Sequence, residues 1–468
     1  MGSEWNPTTL GEVLSAGGGT IQTGPFGSQL HASDYVSNGI PVIMPVNIAD
    51  NRVSTANIAR ISERDANRLS RHIVREGDIV YSRRGDVTRK ALITSAESGM
   101  FCGTGCLLVR PGRNIHPRFL TYHLSTPENQ EWIIRHAIGA TMPNLNTGIL
   151  AGVPLNVPCL ATQESIARIL GTLDDKIELN RQMNTTLEAM AQALFKSWFV
   201  DFDPVIDNAL AAGNEIPEEL AARAERRAKA AQQQSPERPH ILPAAIRQQF
   251  PDRFVFTETM GWVPEGWGAF TLSNAIQINP KVSLRKGHVA KYVDMKALPT
   301  SGYGIDEFVW KPYAGGAKFA NDDVLLARIT PCLENGKTGL VDFLEDNEPG
   351  FGSTEFIVMR GKGAISTAYV ACLARDTNFR LHCVSSMVGS SGRQRVQNAC
   401  FDSYFVCVPE DEEVLKLFDA RCSPNFEKMT ALKNEAVSLA SLRDTLLPKL
   451  LSGQLRIPEA EQLLAEVI

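Results

Sequence analysis

The sequence lacks long apolar runs, and this absence excludes a membrane-spanning protein. No apolar stretch approaches the ~20 residues that a spanning helix needs, and no basic start followed by an apolar segment is present at the N-terminus. Asn6 stands where a myristoylation signal needs Ser or Thr. We therefore expect a cytoplasmic protein with no membrane partner.

Cysteine and histidine are present but dispersed. The 9 cysteines and 8 histidines form no CxxC pair and no zinc-finger spacing, so we predict reduced thiols and no metal site. A net charge of −5 does not indicate a nucleic-acid binder. It does not exclude one either, because local patches set the field that DNA experiences.

Motifs for catalysis are also missing. The glycine-rich stretch GTIQTGPFGSQL at residues 19–30 lacks the GK[ST] ending of a phosphate loop, and no Asn/Asp-Pro-Pro-aromatic motif of an adenine methyltransferase is found. A magnesium nuclease would need clustered carboxylates with a lysine. The nearest set, within residues 322–337, is explained more simply as surface charge. GxSxG and HExxH are absent, so the sequence indicates a non-catalytic binding protein.

The sequence does contain one unit used twice. The aligned Arg83 and Arg328 are 328 − 83 = 245 positions apart, and Pro158 and Pro409 are 409 − 158 = 251 apart, so order and spacing are kept. The matching stretches are GDIVYSRRGD (77–86) with DDVLLARITP (322–331), GATMPNLN (139–146) with SSGRQRVQ (390–397), GVPLNVP (152–158) with SYFVCVP (403–409), and ALFKSWF (193–199) with LLPKLLS (446–452).

Each copy has short β-rich stretches punctuated by Gly, Pro and Asn, followed by a long helix, and we predict an α+β fold. Each helix of about 35 residues would be roughly 50 Å long, more than one domain needs. We therefore favour an intramolecular coiled coil over two helices packed on their own domains. The predicted seam residues are Ile166, Leu173, Ile177, Asn180, Leu187, Leu194, Leu432, Leu439 and Leu446. The predicted segments are a first β-rich domain (1–158), a helix (159–200), a linker with a surface helix (201–262), a second β-rich domain (263–409), and a second helix with a C-terminal tail (410–468).

Polar and basic residues beside glycines at loop tips are suited to DNA contact. Arg and Lys bind phosphates or guanine edges, and Asn and Gln pair with adenine edges. Each residue alone is more often solvated or salt-bridged, but matching positions in two copies favour a shared role. The candidates are Thr23, Ser28, Gln29, His31, Arg83, Arg84, Arg89, Lys90, Thr141, Asn144 and Asn146 in the first copy, and Lys318, Arg328, Lys337, Arg393, Gln394 and Arg395 in the second.

Several further motifs are specific enough to compare with known families. They are TGPFGSQLHASDY (23–35), GIPVIMPVNI (39–48), GDIVYSR (77–83), LNVPCLATQESIARIL (155–170), FKSWFVDFDPV (195–205), PEGW (264–267) and LLPKLLSGQLRI (446–457). Together they resemble the specificity subunits of type I restriction-modification systems, over about residues 9–457.

The resemblance implies two target recognition domains, each followed by a spacer helix, with the helices paired antiparallel about a pseudo-twofold axis. Each domain would read one half of a split double-stranded DNA target, and the helices would set the gap. Partners would be two modification subunits, which methylate adenine, and restriction subunits with motor and nuclease activities. S-adenosylmethionine, ATP and magnesium would be bound by those partners, and this chain would bind no cofactor and catalyse nothing itself.

Two questions stay open. The loop at residues 19–30 is either a turn that shapes its domain or a DNA contact through Thr23, Ser28, Gln29 and His31. The alternative function is a coiled-coil scaffold whose β-rich domains bind proteins, without DNA recognition.

Overall fold

The computed structural model divides the chain into two compact units, which are described separately. Unit 1 comprises Met1–Glu178 with Val437–Ile468, and unit 2 comprises Leu179–Ala436. Each unit therefore holds one β-rich domain and a part of both long helices. The residues that the structure describes are 5–49, 51–139, 142–232, 242–390 and 392–467.

Unit 1 is built on two four-stranded sheets. One has the antiparallel order β2-β11-β8-β9 and the other the mixed order β10-β4-β7-β3, while β1 pairs with β12 and β5 with β6. Their apolar faces enclose buried Ile43, Val80 and Leu108. The strands are β1 (Asn6–Thr9), β2 (Thr20–Thr23), β3 (Tyr35–Val36), β4 (Ile40–Ile43), β5 (Ile48–Ala49), β6 (Arg52–Val53), β7 (Ala59–Ile61), β8 (Ile79–Ser82), β9 (Lys90–Leu92), β10 (Phe101–Cys102), β11 (Cys106–Arg110) and β12 (Pro154–Val157).

Unit 2 repeats this plan. Its sheets have the orders β16-β23-β20-β21 and β18-β17-β22-β19, with the pairs β15-β24 and β13-β14 beside them. The strands are β13 (Phe254–Thr257), β14 (Gly261–Pro264), β15 (Trp267–Thr271), β16 (Gln277–Ile278), β17 (Val289–Val293), β18 (Val309–Pro312), β19 (Ala317–Phe319), β20 (Val324–Ala327), β21 (Thr338–Leu340), β22 (Gly350–Gly352), β23 (Phe356–Arg360) and β24 (Phe405–Pro409).

The helices follow the capping and periodicity signals of the sequence. Thr126 and Asp376, for example, accept hydrogen bonds from backbone amides in the first turns of α4 and α12. The helices are α1 (Leu10–Gly17), α2 (Glu63–Arg68), α3 (Pro117–His123), α4 (Pro127–His136), α5 (Thr147–Ala151), α6 (Leu160–Phe195), α7 (Asp203–Ala212), α8 (Glu218–Gln232), α9 (Ala244–Arg247), α10 (Leu272–Ala275), α11 (Thr367–Arg375), α12 (Thr377–Ser385), α13 (Cys400–Ser403), α14 (Glu413–Leu451) and α15 (Ile457–Ala465).

The repeat predicted from the sequence is present in the strand register. In unit 1, Phe101 of β10 pairs in parallel with Val42 of β4, and in unit 2, Phe351 of β22 pairs in parallel with Tyr292 of β17. Both positions shift by the same amount, since 351 − 101 = 250 and 292 − 42 = 250. The predicted α+β fold with two β-rich domains, each followed by a long helix, is confirmed.

Helices α6 and α14 run antiparallel within each unit. In unit 2, Asn180 Nδ2 donates to the carbonyl of Leu432 at 3.4 Å and Asn184 Nδ2 to that of Met429 at 3.2 Å, so positions rise in one helix as they fall in the other. In unit 1, an ion pair joins Asp174 to Arg443 at 2.7 Å. Of the predicted seam residues, Leu187 and Leu194 are half-buried, and the buried ones are Ile166, Leu173, Ile177, Asn180, Leu432, Leu439 and Leu446.

The motif FKSWFVDFDPV forms an aromatic cluster at the end of α6, where residues Lys196–Val200 make a π-helical turn. The Phe199 ring lies 5.8 Å from the ring of Trp267, which comes from the PEGW motif, and 5.1 Å from that of Phe418 on α14. These rings fix the helix end against the second domain within unit 2.

The segment predicted as a linker is more ordered than its composition indicates. Asp203 is buried at the start of α7 and forms an ion pair with Arg223 of α8 at 2.7 Å, and buried Asp207 pairs with Arg227. Alanine-rich α8 therefore packs on α7 through charge, as few of its side chains are large and apolar. Within the described residues, no helix is long and apolar enough to cross a membrane.

Candidate nucleic-acid interface

In the first domain, two of the predicted loops lie side by side. The backbones of Arg84 and Asn144 form an antiparallel bridge, the amide of Leu145 donates to the carbonyl of Arg83 at 2.8 Å, and that of Gly85 donates to Pro143 at 3.2 Å. The YSRRGD and MPNLN loops therefore form one surface. Thr141 lies outside the described residues.

The GPFG loop contributes the third part of this surface. Gly24 follows β2 where a Cβ atom would lie 2.1 Å from the carbonyl oxygen of Gly103, so another residue here would displace the backbone. The Phe26 ring is 52% exposed, and the Arg83 guanidinium carbon lies 5.9 Å from its centroid. Arg83 Nε also donates to Asn144 Oδ1 at 3.3 Å, which connects all three loops.

An open cleft of about 600 Å³ lies against this loop, with Phe26, Tyr35, Met44, Arg83 and Arg84 in its lining. It combines exposed aromatic surface with two guanidinium groups. Such a lining suits a nucleic-acid backbone or base edge, because arginine binds phosphates and guanine and the ring supplies a stacking surface.

The polar residues of the GPFGSQLH stretch differ in their surroundings. Gln29 Oε1 accepts from the Phe26 amide at 3.2 Å, and the His31 amide donates to Asp34 at 2.8 Å, so both help to shape the turn. Ser28 and the side chain of His31 are exposed, and Thr23 is half-buried at the end of β2. Gln29 and the backbone of His31 therefore serve the turn, whereas the exposed side chains of Ser28 and His31 can reach a ligand.

The prediction that Lys90 contacts DNA needs correction. It is 2% exposed in β9, with its ammonium group 6.0 Å from the centroid of the Tyr81 ring. Burial lowers the pKa of Lys90 to about 7. A side chain enclosed in this way cannot reach DNA, so the predicted contact is wrong for this residue. The sequence showed a lysine beside a glycine-containing loop but not that the side chain points inward from a strand.

Two other candidates of the first domain have structural partners. Asn146 caps α5 by accepting from the Ile149 amide at 2.8 Å, and Arg89 forms an ion pair with Asp86 at 3.2 Å. Arg84, by contrast, is exposed at the rim of the cleft. It is therefore the candidate best placed to meet a ligand.

The second domain builds the same loop junction. Ile329 and Arg395 form the antiparallel bridge, and the amide of Val396 donates to the carbonyl of Arg328 at 2.9 Å. These positions match Arg84, Asn144, Leu145 and Arg83 at offsets of 245 and 251, since 329 − 84 = 245 and 395 − 144 = 251.

The side chains of this second junction differ from those of the first. Arg395 pairs with Glu355 at 2.6 Å, and Arg328 donates to the carbonyl of Val396 at 3.0 Å. Arg393 is exposed and Gln394 half-buried beside it. One backbone arrangement thus presents different chemical groups in the two domains.

Lys318 and Lys337 serve the fold rather than the junction. Lys318 Nζ donates to the carbonyl of Leu284 at 3.1 Å, and Lys337 Nζ to that of Met295 at 2.9 Å. Asp323, which belongs to the carboxylate set at residues 322–337, is fully buried and pairs with Arg360 at 2.6 Å. Its burial raises the pKa of the carboxyl group, opposed by the Arg360 hydrogen bond. Asp323 is therefore a structural residue.

Sequence reasoning missed a basic surface on β17 and β18. Lys311 lies on β18 beside the exposed Trp310, and Arg285 and Lys286 are exposed in the turn before β17. The signal was available, because residues 280–293 and 309–320 contain six Lys or Arg and no Asp or Glu. The net charge of −5 for the whole chain concealed it.

Comparison with known proteins points to one family. A family model described as the type I restriction modification DNA specificity domain matches residues 2–189. The type I restriction enzyme HindI specificity subunit of Haemophilus influenzae is 27% identical over 97% of this chain and 100% of its own length. Over nearly its whole length, the chain is similar to the specificity subunits of type I restriction-modification systems.

Further relatives agree with this assignment. The MjaIX specificity subunit of Methanocaldococcus jannaschii is 23% identical, over 96% of this chain and 92% of the relative. The crystal structure of a type I S subunit from M. genitalium aligns with a TM-score of 0.51 at 14% identity, covering 96% of each chain, and supports the fold.

Proposed function

We propose that the two β-rich domains each read one half of a split double-stranded DNA target. The observation that carries this proposal is the loop junction built twice with different side chains. Arg84 and Asn144 occupy it in the first domain, and Ile329 and Arg395 in the second. A repeated frame with exchanged side chains is what two half-sites of different sequence require, because base edges are read by individual side chains.

The helices α6 and α14 would set the distance between the half-sites and dock two modification subunits. α6 contains 36 residues and α14 contains 39, which at ~1.5 Å per residue gives lengths of roughly 55 Å. That length is equivalent to about 16 base pairs at ~3.4 Å each, so a gapped target is geometrically reasonable. In this proposal the chain binds no cofactor, and the modification and restriction subunits bind S-adenosylmethionine, ATP and magnesium.

The test is a map of adenine methylation in cells that carry the complete system with single variants of this chain. Arg84→Ala should relax one half of the motif, and Arg393→Ala should relax the other, each by about 10-fold or more in discrimination, since one good base contact contributes roughly 1–3 kcal/mol. Arg135→Ala is the matched control, because Arg135 is an exposed arginine of the first domain paired with Glu131.

Two outcomes would contradict the proposal. One is a relaxed motif at the same half for both variants, and the other is an unchanged motif for both. The alternative function, a protein-binding scaffold, predicts a wild-type complex without any sequence preference in DNA binding. Inserting whole helical turns in α6 should lengthen the gap, and an unchanged gap would refute the spacer role.

A further inference from the structure

A part of the second domain carries strong local positive charge in an acidic chain. Residues 280–293 and 309–320 hold six Lys or Arg without Asp or Glu, whereas the whole protein has a net charge of −5. The two segments form neighbouring strands, since Ala290 pairs with Lys311 and Lys291 with Trp310. Lys311 on β18 therefore lies near Arg285 and Lys286, which precede β17, whereas Lys318 is on β19 at the other end of the sheet.

The pairing extends past the strands into the turn at residues 285–288. The amide of Gly287 donates to the carbonyl of Tyr313 at 2.8 Å, and the amide of Tyr313 donates to that of His288 at 2.8 Å. Arg285, Lys286 and His288 are exposed in this turn. They continue the edge formed by β18, on which Trp310 faces the Lys291 side of the sheet and Lys311 faces the Tyr292 side. We call Arg285, Lys286, Trp310 and Lys311 the basic edge.

The cations of the basic edge have no carboxylate partners. Among the described residues, none pairs with Arg285, Lys286 or Lys311 within the 4.0 Å used to define an ion pair. Lys311 Nζ instead lies 4.1 Å from the centroid of the Tyr292 ring. A cation that rests on an aromatic face keeps its charge available to an anion outside.

Trp310 is held in an exposed position by a buried lysine. Its side chain is 59% exposed, and Lys291, which is 7% exposed, lies beneath it with Nζ 5.5 Å from the indole and 5.3 Å from the Phe308 ring. Glu348 fixes the same ammonium group at 3.0 Å. Lys291 therefore lies against the inner face of Trp310 and is a positioning residue for this exposed ring.

We propose that the basic edge binds the phosphate backbone of DNA, with Arg285, Lys286 and Lys311 contacting phosphates and Trp310 packing on an adjacent sugar or base. This inference rests on the proposed DNA-reading function and adds a surface distinct from the loop junction. Unpaired cations interleaved with an exposed aromatic ring match the chemistry of nucleic-acid backbones. Phosphate contacts position a protein on DNA and carry no sequence information.

The first experiment measures DNA affinity of the complex with modification subunits at several salt concentrations. In the Lys286→Gln/Lys311→Gln double variant, the slope of log affinity against log salt should fall by about 1.8, because each lost phosphate contact contributes roughly 0.9. Affinity should fall about 10-fold or more, while the ratio between target and non-target DNA stays unchanged. The control is Lys229→Gln/Lys416→Gln, which removes two exposed lysines that pair with nearby glutamates.

An unchanged slope in the double variant would overturn the inference, and so would a changed target ratio, since that would indicate base reading. Loss of assembly with the modification subunits at normal DNA affinity would assign the surface to protein contact instead. A different result, a wild-type complex without any target preference, would contradict the proposed DNA-reading function and not the basic edge. Even then, the slope measured on any duplex tests the basic edge.

A second variant tests the aromatic part. Trp310→Ala should weaken DNA binding about 5- to 150-fold, the effect of losing one stacked aromatic ring, with little change of the salt slope because no charge is removed. The control is Phe256→Ala on the β13–β14 hairpin, where Phe256 is similarly exposed. Equal affinity of Trp310→Ala and wild type would contradict the role of the ring.

Discussion

Strand β4 of the first domain and β17 of the second occupy equivalent positions, yet their neighbours differ. In the first domain the strand beside β4 is β7, and β3 pairs with its outer side. In the second domain the strand beside β17 is β18, which ends the sheet. In the first domain, β3 ends the sheet, and the segment 35–48 that contains β3 and β4 has no Lys or Arg. The edge strand β3 therefore has no counterpart of the basic edge.

At the loop junction, by contrast, the first domain has the more open surface. The first domain places the GPFG loop and an open cleft beside Arg83 and Arg84, whereas in the second domain Arg395 is paired with Glu355. A shared strand register thus supports two different exposed surfaces. Cores repeat because their packing is constrained, and edges and loops diverge because they are not.

The largest expected effect concerns a feature that both domains share. Asp78 pairs with Arg110 at 2.8 Å and Asp323 with Arg360 at 2.6 Å, and both carboxylates are buried. Asp78→Ala or Asp323→Ala should each lower the free energy of unfolding by about 3 kcal/mol, because each leaves an arginine without its buried partner. Urea unfolding followed by domain-specific proteolysis measures this.

This prediction would be contradicted if either substitution lowered the free energy of unfolding by less than about 1 kcal/mol. Asp65→Ala is the control, since Asp65 forms an ion pair with the exposed Arg68 on the surface of the first domain. If only one of the two substitutions lowers the free energy of unfolding, the two domains differ in stability more than their shared strand register indicates.

A smaller effect is expected for the buried Lys90, whose counterpart in the second domain is uncharged. Tyr81 pairs with Lys90 in the first domain, where Leu326 pairs with Thr338 in the second. Lys90→Met should raise the free energy of unfolding of the first domain by roughly 2 kcal/mol at pH 7, because it removes a cation from an apolar site.

The pH dependence of this site follows from the lowered pKa. Burial reduces the pKa of Lys90 from 10.5 to about 7, so between these values the unfolded chain binds more protons than the folded one. The Lys90 contribution to stability therefore rises with pH from about 7 to 10.5. Denaturation at pH 7 and pH 9 should show this rise in wild type and its loss in Lys90→Met. An equal pH dependence in the two proteins would contradict the buried charge.

The smallest effect on stability is expected at the GPFG loop. Phe26→Ala removes an exposed ring that contacts Arg83, and the free energy of unfolding should change by about 0.5 kcal/mol. We expect weaker DNA binding of the assembled complex, limited to the first half-site, with Phe256→Ala as control. Unchanged DNA binding would assign the loop to shaping the domain, which would resolve the two interpretations of this stretch.

The sequence predicted the repeated frame well because spacing is a property of the chain itself. The aligned Arg83 and Arg328 do occupy equivalent junction positions, and helix α6 at Leu160–Phe195 lies within the predicted 159–200. The directions of individual side chains were less accessible. Lys90 lies in a short strand, and the alternation of apolar and polar residues there does not show which face of the strand is buried. The packing of α7 on α8 depends on ion pairs such as that of Asp203 with Arg223, which the sequence does not reveal.

Strand β18 also has a consequence for the behaviour of the protein in solution. As the end of its sheet, it presents backbone donors and acceptors that a strand of another molecule could join. Pro312 lacks an amide hydrogen and Lys311 brings charge, and both hinder such joining. Replacing Lys311 with an apolar residue would therefore turn a surface that keeps copies of the chain apart into one that promotes their aggregation.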